Sequence, residues 1–384
     1  MSALGRKTVF AIVAICGSLC ALALLTEIIL QVIDWPADRV CGWRCFWGPQ
    51  HENNQLGCRG QLIEYTQDHF VAVMLGDSQV QALACDSEHM PERRLQLHLA
   101  ERLGRPTKVF SLAAGGYGQD QQLLALREYF QKHRADLVVL WLTPENDVWN
   151  NMFPTHFPTD GWSKPTFWLA EGKLQGPHQP AGKRIGSGLK SALLLNQFFP
   201  RIDAGWEREH LPPPYKPIQH SGPAHKGWQR AWDENISRFR EDNVANEKSH
   251  VAIGLTPRSP RMQYGLDLTN ALLREIDQLA RDHGADFLIF WIASGPQAAS
   301  APATASAPSS AHYADAVVYV LNGKYYRSSP RQQRDNIAEM TRGLPAFPVT
   351  HDVKDWKAPD GHLKQAAVDV AMSNLADLIV KQLR

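Results

Sequence analysis

The sequence has almost no excess of charge of either sign. Its 384 residues include 40 Lys and Arg against 39 Asp and Glu, which leaves a formal net charge of +1. It also lacks a basic stripe interleaved with aromatic residues, and no internal repeat of about 20–50 residues is visible. Because nucleic-acid-binding proteins usually carry a basic patch, the composition predicts no nucleic-acid partner.

Charge is absent altogether from one long run near the N-terminus. Residues 8–26 contain no charged side chain, and as a helix this run would reach about 28 Å, close to the thickness of a bilayer core. Arg6 and Lys7 precede it, which favours an N-in orientation with a translocated, periplasmic body. We therefore predict an uncleaved single-pass membrane anchor over 1–34. The alternatives are a signal peptide cleaved after the triplet Ala21-Leu22-Ala23 and a buried soluble helix.

Cysteine is scarce, and its spacing does not suggest metal binding. No paired C-x-x-C and no nearby H-x-x-x-H is present, so the sequence predicts no metal site and no cofactor. Four cysteines follow the apolar run: Cys41, Cys45, Cys58 and Cys85. In an oxidising compartment they favour two disulfides, or one, and the sequence leaves the choice of pairing open.

The rest of the chain divides into a connector and one long domain. Residues 35–68 are rich in Trp, Pro, Gly and Cys and are expected to form an irregular connector. Residues 69–384 are predicted to form the domain, with an insertion at about 150–260 and a low-complexity loop over 295–312. Within the insertion, 164–176 reads as a short hairpin.

Apolar runs with strand character alternate with helical patterns in this domain. Strands are predicted at 70–75, 107–113, 136–143 and 285–293, with a further candidate at 314–321. Helices are predicted at 90–104, 118–134, 268–284 and 363–383. Strands separated by helices of this length indicate a mainly parallel sheet covered on both faces, which is a three-layer α/β/α fold.

Chemically distinctive residues follow the first three of these strands. The segments are "GDS" at 76–78, "AAGGYGQDQ" at 113–121 and "TPENDVWNN" at 143–151, and "DGH" at 360–362 precedes the final helix. Ligands of open parallel sheets bind at the carboxyl ends of the strands. The four segments are therefore predicted to meet at one edge of the sheet.

These four blocks, in this order, resemble the SGNH (GDSL) family of serine hydrolases. The resemblance implies a flavodoxin-like fold and a catalytic triad in which Ser78 is the nucleophile, His362 the base and Asp360 the acid. It also implies an oxyanion hole made by the Ser78 and Gly116 backbone N–H groups and the Asn146 side-chain amide. Such chemistry is consistent with the residue types, because a serine hydroxyl needs an adjacent base and the oxyanion needs donors placed beforehand.

Each assignment has an alternative. Ser78 could instead be the N-cap of a helix, and Asn146 could cap one too. Asp77 is expected to brace the turn rather than act as an acid. Gly115 and Gly118 could simply permit the turn, and the oxyanion donor could shift by one residue from Gly116.

The acid and the base depart from the usual spacing. The family commonly has Asp-x-x-His, whereas Pro359 stands three residues before His362 here. Asp355 is therefore the fallback acid. The alternative bases are His351, His312 and His89.

The resemblance implies a serine esterase acting on an O-acyl ester, with an O-acetyl group on a cell-surface glycan as the candidate substrate. An O-acetyltransferase with the same triad and a non-catalytic envelope scaffold are the other two hypotheses. Aromatic residues of the insertion could stack against sugars or fill a core. They are Trp162, Phe167, Trp168, Trp206, Trp228 and Trp232. Nothing in the sequence indicates the oligomeric state.

Overall fold

The computed structural model describes residues 3–32, 53–156, 162–178, 191, 205–226, 244–293, 316–351, 353–354 and 361–383. The helices are α1 (Ala3–Val32), α2 (Ser78–Gln81), α3 (Pro91–Leu103), α4 (Gln119–Phe130), α5 (Pro144–Met152), α6 (Trp206–His210), α7 (Pro260–Asp282), α8 (Pro330–Met340) and α9 (Gln365–Gln382). The strands are β1 (Phe70–Gly76), β2 (Thr107–Ala113), β3 (Leu137–Trp141), β4 (Thr155–His156), β5 (Trp162–Ser163), β6 (Thr166–Ala170), β7 (Lys173–His178), β8 (Asp286–Ala293), β9 (Val317–Leu321), β10 (Lys324–Ser328) and β11 (Ala346–Thr350).

Five strands form one parallel sheet in the order β2-β1-β3-β8-β11. This is the flavodoxin-like order, in which the chain reverses its direction of winding between β1 and β3. In the register of β1 and β2, Gly76 lies opposite Ala113, so both strands end at the same level. The predicted α/β fold with a mainly parallel sheet is confirmed.

The sheet is covered on both faces, because successive side chains of a strand point to opposite sides. Val71, Val73 and Leu75 of β1 pack into a core with α4, α5 and α7. Ala72 and Met74 pack into a second core with α3 and α9. The three layers predicted from the sequence are therefore present.

The outer edge of β2 is paired with side chains rather than with another strand. Ser111 N–H donates to Glu92 Oε2 (2.9 Å) and Val109 N–H donates to Gln96 Oε1 (3.1 Å). The carbonyl oxygens of the same two residues accept from Asn54 Nδ2 and Gln61 Nε2. Part of the predicted connector thus packs on the sheet and covers an edge that would otherwise be open to pairing with another chain.

Three elements differ from the sequence prediction. The candidate strand at 314–321 corresponds to β9, which pairs antiparallel with β10 outside the main sheet. The fifth strand of the sheet is instead β11, which the sequence did not suggest because it is short and contains Pro348. As an edge strand, β11 tolerates the missing proline N–H. Helix α7 also begins earlier than predicted, with Ser259 as its cap and Pro260 in its first turn.

One local prediction, the hairpin, is confirmed. The hairpin in the insertion is β6 and β7, and its turn residues Glu171 and Gly172 both have positive φ, as a type I′ turn requires. At the N-terminus, α1 contains a 24-residue apolar stretch, Val9–Val32, with mean hydropathy 2.5, and most of its residues are exposed. This helix is long and apolar enough to cross a membrane.

The disulfide prediction is not supported. Cys85 is a buried free thiol, and no disulfide occurs among the cysteines in the described ranges. Every way of pairing all four cysteines beyond the apolar run uses Cys85, so the two-disulfide arrangement is not found. Cys41 and Cys45 lie outside the described residues.

Candidate active site

The turn after β1 places Ser78 at the start of α2 without using it as a cap. Asp77 is the N-cap, since its Oδ1 accepts the Gln79 N–H at 2.9 Å. Gly76 is required by close packing, because a Cβ there would lie 2.4 Å from Val80 Cγ2. The capping alternative for Ser78 is therefore wrong, and the turn-bracing role expected of Asp77 is confirmed. The Ser78 side chain is half-buried, at the strand end where ligands bind.

The glycine segment after β2 lies beside Ser78. A Cβ on Gly115 would be 3.9 Å from Ser78 Cβ, and the Gly115 N–H donates to Gln81 Oε1 at 3.0 Å. Gly116 has a φ of 74° in a turn closed by the Tyr117 N–H and the Ala114 carbonyl, 3.1 Å apart. Positive φ at this position of a type II turn favours glycine. The turn thus brings backbone close to the serine.

Asn146 comes from the first turn of α5, after β3. Its Nδ2 donates to Asp77 Oδ2 at 2.9 Å, so the two strand ends on either side of the switch point are joined directly. An amide nitrogen carries two hydrogens, and this bond uses one of them. This bond leaves the second hydrogen unused.

His362 lies near the same turn, in the segment before α9. Gln79 Nε2 donates to the Gly361 carbonyl at 3.4 Å, and the Cys85 Sγ lies 3.8 Å from the Leu363 carbonyl. The charge that His362 can carry also acts electrostatically on Asp77. The residues on both sides of His362 therefore contact the chain that follows Ser78.

The other triad predictions fall in different places. Asp360, Asp355 and His312 lie outside the described residues. His89 is exposed after α2, and His351 follows the edge strand β11.

Two buried carboxyls at this site, those of Asp77 and Asp147, have raised pKa values. Burial raises the pKa of Asp77, against the lowering effects of the Gln79 N–H, the Asn146 amide and His362. Burial and the nearby Asp77 carboxyl raise the pKa of Asp147 well above its usual range. Two such groups cannot both ionise easily, because each charge opposes the other.

Arg59 supports the helix that begins at Ser78, and no sequence pattern indicates this role. This buried side chain donates to the carbonyls of Gln81, Ala82 and Cys85 and so satisfies the C-terminal end of α2. It belongs to the predicted connector, far from Ser78 in sequence. Only the folded chain brings them together.

The aromatic residues of the insertion fill a core where they are described. Phe167 and Trp206 are each 2% exposed and belong to the core on the α4, α5 and α7 face. Trp168 is half-buried and meets Trp206 edge-to-face, with ring centroids 6.0 Å apart. Trp228 and Trp232 lie outside the described residues, as does the side chain of Trp162. Phe167 and Trp206 cannot stack against a sugar.

Within the described ranges, no cluster of three or more His, Cys, Asp or Glu side chains could hold a metal ion.

No family model matches the chain, and no curated protein matches it. Among solved structures, the crystal structure of TesA aligns with 82% of this chain and 99% of its own, at 13% identity and a TM-score of 0.34. The psychrotrophic esterase EstA from Pseudoalteromonas sp., inhibited by monoethylphosphonate, aligns with 82% of this chain and 98% of its own, at 10% identity and 0.36. The acetyl xylan esterase Est2A of the rumen bacterium Butyrivibrio proteoclasticus aligns with 84% of this chain and 66% of its own, at 10% and 0.34. With similarity at this level, we infer function from the residues of this chain.

Proposed function

We propose that the protein is a serine esterase that hydrolyses O-acyl esters. The observation that supports this most directly is that Asp77, and not Ser78, caps α2. The Ser78 hydroxyl is therefore not needed as a cap and can act as the nucleophile. Two further contacts support the proposal: Asn146 binds Asp77, the neighbour of Ser78, and Gly115 lies next to Ser78, at the switch point of the sheet. No described side chain supports a glycan as the alcohol, so the proposal names the ester and not the sugar.

The proposed reaction has two halves. Ser78 Oγ attacks the acyl carbon while its proton passes to His362, and the tetrahedral oxyanion accepts from the Ser78 and Gly116 N–H groups and from Asn146 Nδ2. Collapse breaks the ester bond, and the alcohol leaves with the proton from His362. Water then attacks the acyl-serine with His362 again as base, releasing the acid and free serine. Asp360 is proposed to hold the imidazole in the required tautomer.

Hydrolysis of p-nitrophenyl esters tests this proposal. We expect the detergent-solubilised full chain to release p-nitrophenol from short acyl esters, and a series of increasing chain length would define the acyl pocket. Ser78→Ala should lower kcat by about 10⁴-fold or more. Hydrolysis by this variant at the wild-type rate would contradict the proposal.

We propose further that α1 anchors the catalytic domain to a membrane from the periplasmic side. The 24-residue apolar window supports the anchor, and Arg6 and Lys7 support the N-in orientation. Protease added to intact spheroplasts should degrade the domain and leave a short membrane-bound N-terminal fragment. Recovery of an undegraded domain with the membranes would contradict the orientation.

A further inference from the structure

Lys164 is a buried cation in the insertion. Its side chain is 0% exposed and forms an ion pair with Asp120 Oδ2, which is also 0% exposed. Burial lowers the pKa of the Lys164 ammonium and raises that of the Asp120 carboxyl, whereas their mutual attraction acts in the opposite sense on each. Buried ion pairs contribute little net stability, because desolvation offsets the attraction between the charges. We therefore ask whether this ion pair positions neighbouring residues rather than whether it stabilises the fold.

Asp120 lies immediately beyond the glycine turn that flanks Ser78. Its Oδ1 accepts the Gln121 N–H at 2.8 Å, in the first turn of α4. A Cβ on Gly118 would lie 3.0 Å from Asp120 Oδ1 and 2.4 Å from Asn151 Oδ1. The backbone that follows Gly116 thus packs directly against the Asp120 carboxyl.

Hydrogen bonds continue from Asp120 to the helix that carries Asn146. Asn151 Oδ1 accepts the Asp120 N–H at 3.4 Å, and its Nδ2 donates to Gln119 Oε1 at 2.6 Å. Gln119 Nε2 donates to Asp147 Oδ2 at 2.8 Å. That oxygen also accepts the N–H of Thr143, the N-cap of α5, at 2.7 Å. The four side chains of this group are fully buried; they are those of Gln119, Asp120, Asp147 and Asn151.

We propose that Lys164 is a positioning residue for the oxyanion hole. Its ammonium holds the Asp120 carboxyl, and the buried hydrogen bonds from Asp120 to Asp147 fix the first turns of α4 and α5 relative to each other. Those turns adjoin the two predicted donors, Gly116 and Asn146. The insertion would then act on the reaction without touching substrate. This inference rests on the proposed esterase function.

The double variant Lys164→Met with Asp120→Asn separates positioning from stability. Replacing a buried ion pair by neutral groups of similar size is often neutral for stability, but it removes a directional, charge-assisted hydrogen bond. We therefore expect a melting temperature near that of the wild type, a kcat about 10- to 100-fold lower and an unchanged KM. The rate at which a fluorophosphonate labels Ser78 should fall by the same factor. An unchanged kcat in this folded variant would overturn the inference.

Leu99→Ala is the matched control for stability. Leu99 is fully buried on α3, on the opposite face of the sheet, and its truncation should lower the melting temperature without changing kcat. If the double variant behaves like Leu99→Ala, Lys164 is merely structural. If the wild type itself is not labelled at Ser78, the proposed function fails instead, so the two failures are distinguishable.

Discussion

Two buried carboxyls, Asp77 and Glu92, have similar local surroundings and different consequences. Asp77 is 1% exposed and accepts the Gln79 N–H and the Asn146 amide. Glu92 is 0% exposed and accepts the Gln61 and Ser111 N–H groups, both at 2.9 Å. Burial raises the pKa of each, that of Glu92 to about 7.

Their partners explain the difference. Asp77 stands at the carboxyl end of a central strand and interacts with Asn146 and His362, the proposed oxyanion donor and the proposed base. Glu92 accepts two backbone N–H groups, which belong to the edge strand and to the segment that covers it, and its Oε1 lies 3.7 Å from Arg93 Nε. A buried acid thus indicates function only through the groups that surround it.

The largest effect in the comparison of Asp77 with Glu92 is expected from removing Asn146, the side chain bound to Asp77. Asn146→Ala should lower kcat by about 10²–10³-fold, because an oxyanion donor acts mainly in the transition state. The measurement is steady-state kinetics on the p-nitrophenyl ester that the wild type hydrolyses fastest. Asn270→Ala is the control. Asn270 is a buried asparagine on α7 that donates to the Met340 carbonyl at 2.7 Å, and it is not a predicted site residue. An equal loss of kcat in both variants would remove the special role of Asn146.

Asp77→Asn should have a smaller effect on the same reaction. Asparagine is as good an N-cap as aspartate, so the cap is kept. It has only one acceptor oxygen, however, so it cannot accept hydrogen bonds from both Gln79 and Asn146. We expect kcat to fall by about 10- to 100-fold, with little change in melting temperature. A folded variant with wild-type kcat would show that Asn146 needs no anchor at Asp77.

Glu92→Gln should show the reverse pattern. Only one of the two backbone N–H groups keeps an acceptor, so the free energy of unfolding at pH 4.5 should fall by about 1–3 kcal/mol. Neither N–H group adjoins Ser78, so kcat should not change. Urea denaturation and ester hydrolysis on the same samples provide the comparison. A loss of activity without a loss of stability would contradict the purely structural role of Glu92.

The pH dependence of that stability is a finer test. Between pH 4.5 and 7 the folded protein keeps a proton on Glu92 that the unfolded chain has released, since its pKa rises from 4.5 to about 7 on folding. The Glu92 contribution to the free energy of unfolding is therefore present below pH 4.5 and is lost as the pH rises to 7, with a slope of at most about 1.4 kcal/mol per pH unit. The difference in the free energy of unfolding between the wild type and Glu92→Gln should therefore become smaller as the pH rises from 4.5 to 7. If this difference becomes larger with rising pH, folding lowers the pKa of Glu92 instead of raising it.

The two carboxyls also show how far the sequence alone could be read. Gly76, Asp77 and Ser78 are adjacent in the chain and follow a strongly apolar strand, so local pattern was enough to find them. Glu92 looks like an ordinary acid in the first turn of a helix. Its burial depends on Gly60, where a Cβ would lie 2.0 Å from Glu92 Oε2. That contact joins distant segments and leaves no local signature.

Lys164 and β11 could not be predicted for related reasons. A lone lysine in a hairpin region usually reads as a surface residue, and nothing nearby in sequence reveals its partner Asp120. The strand β11 is five residues long and interrupted by Pro348, so its pattern is weak until β8 supplies a partner. By contrast, the parallel core strands and their helices have the strong apolar periodicity that made most of the fold predictable.

The central claim is that Ser78 is a nucleophile activated by His362. Its most direct test is to treat the detergent-solubilised full chain with a fluorophosphonate and to locate the adduct by mass spectrometry of the digested protein. We predict one phosphonylated peptide, modified at Ser78, with labelling abolished in Ser78→Ala and greatly slowed in His362→Ala. A folded wild-type protein that carries no adduct at Ser78, or one labelled equally fast without His362, would contradict the account.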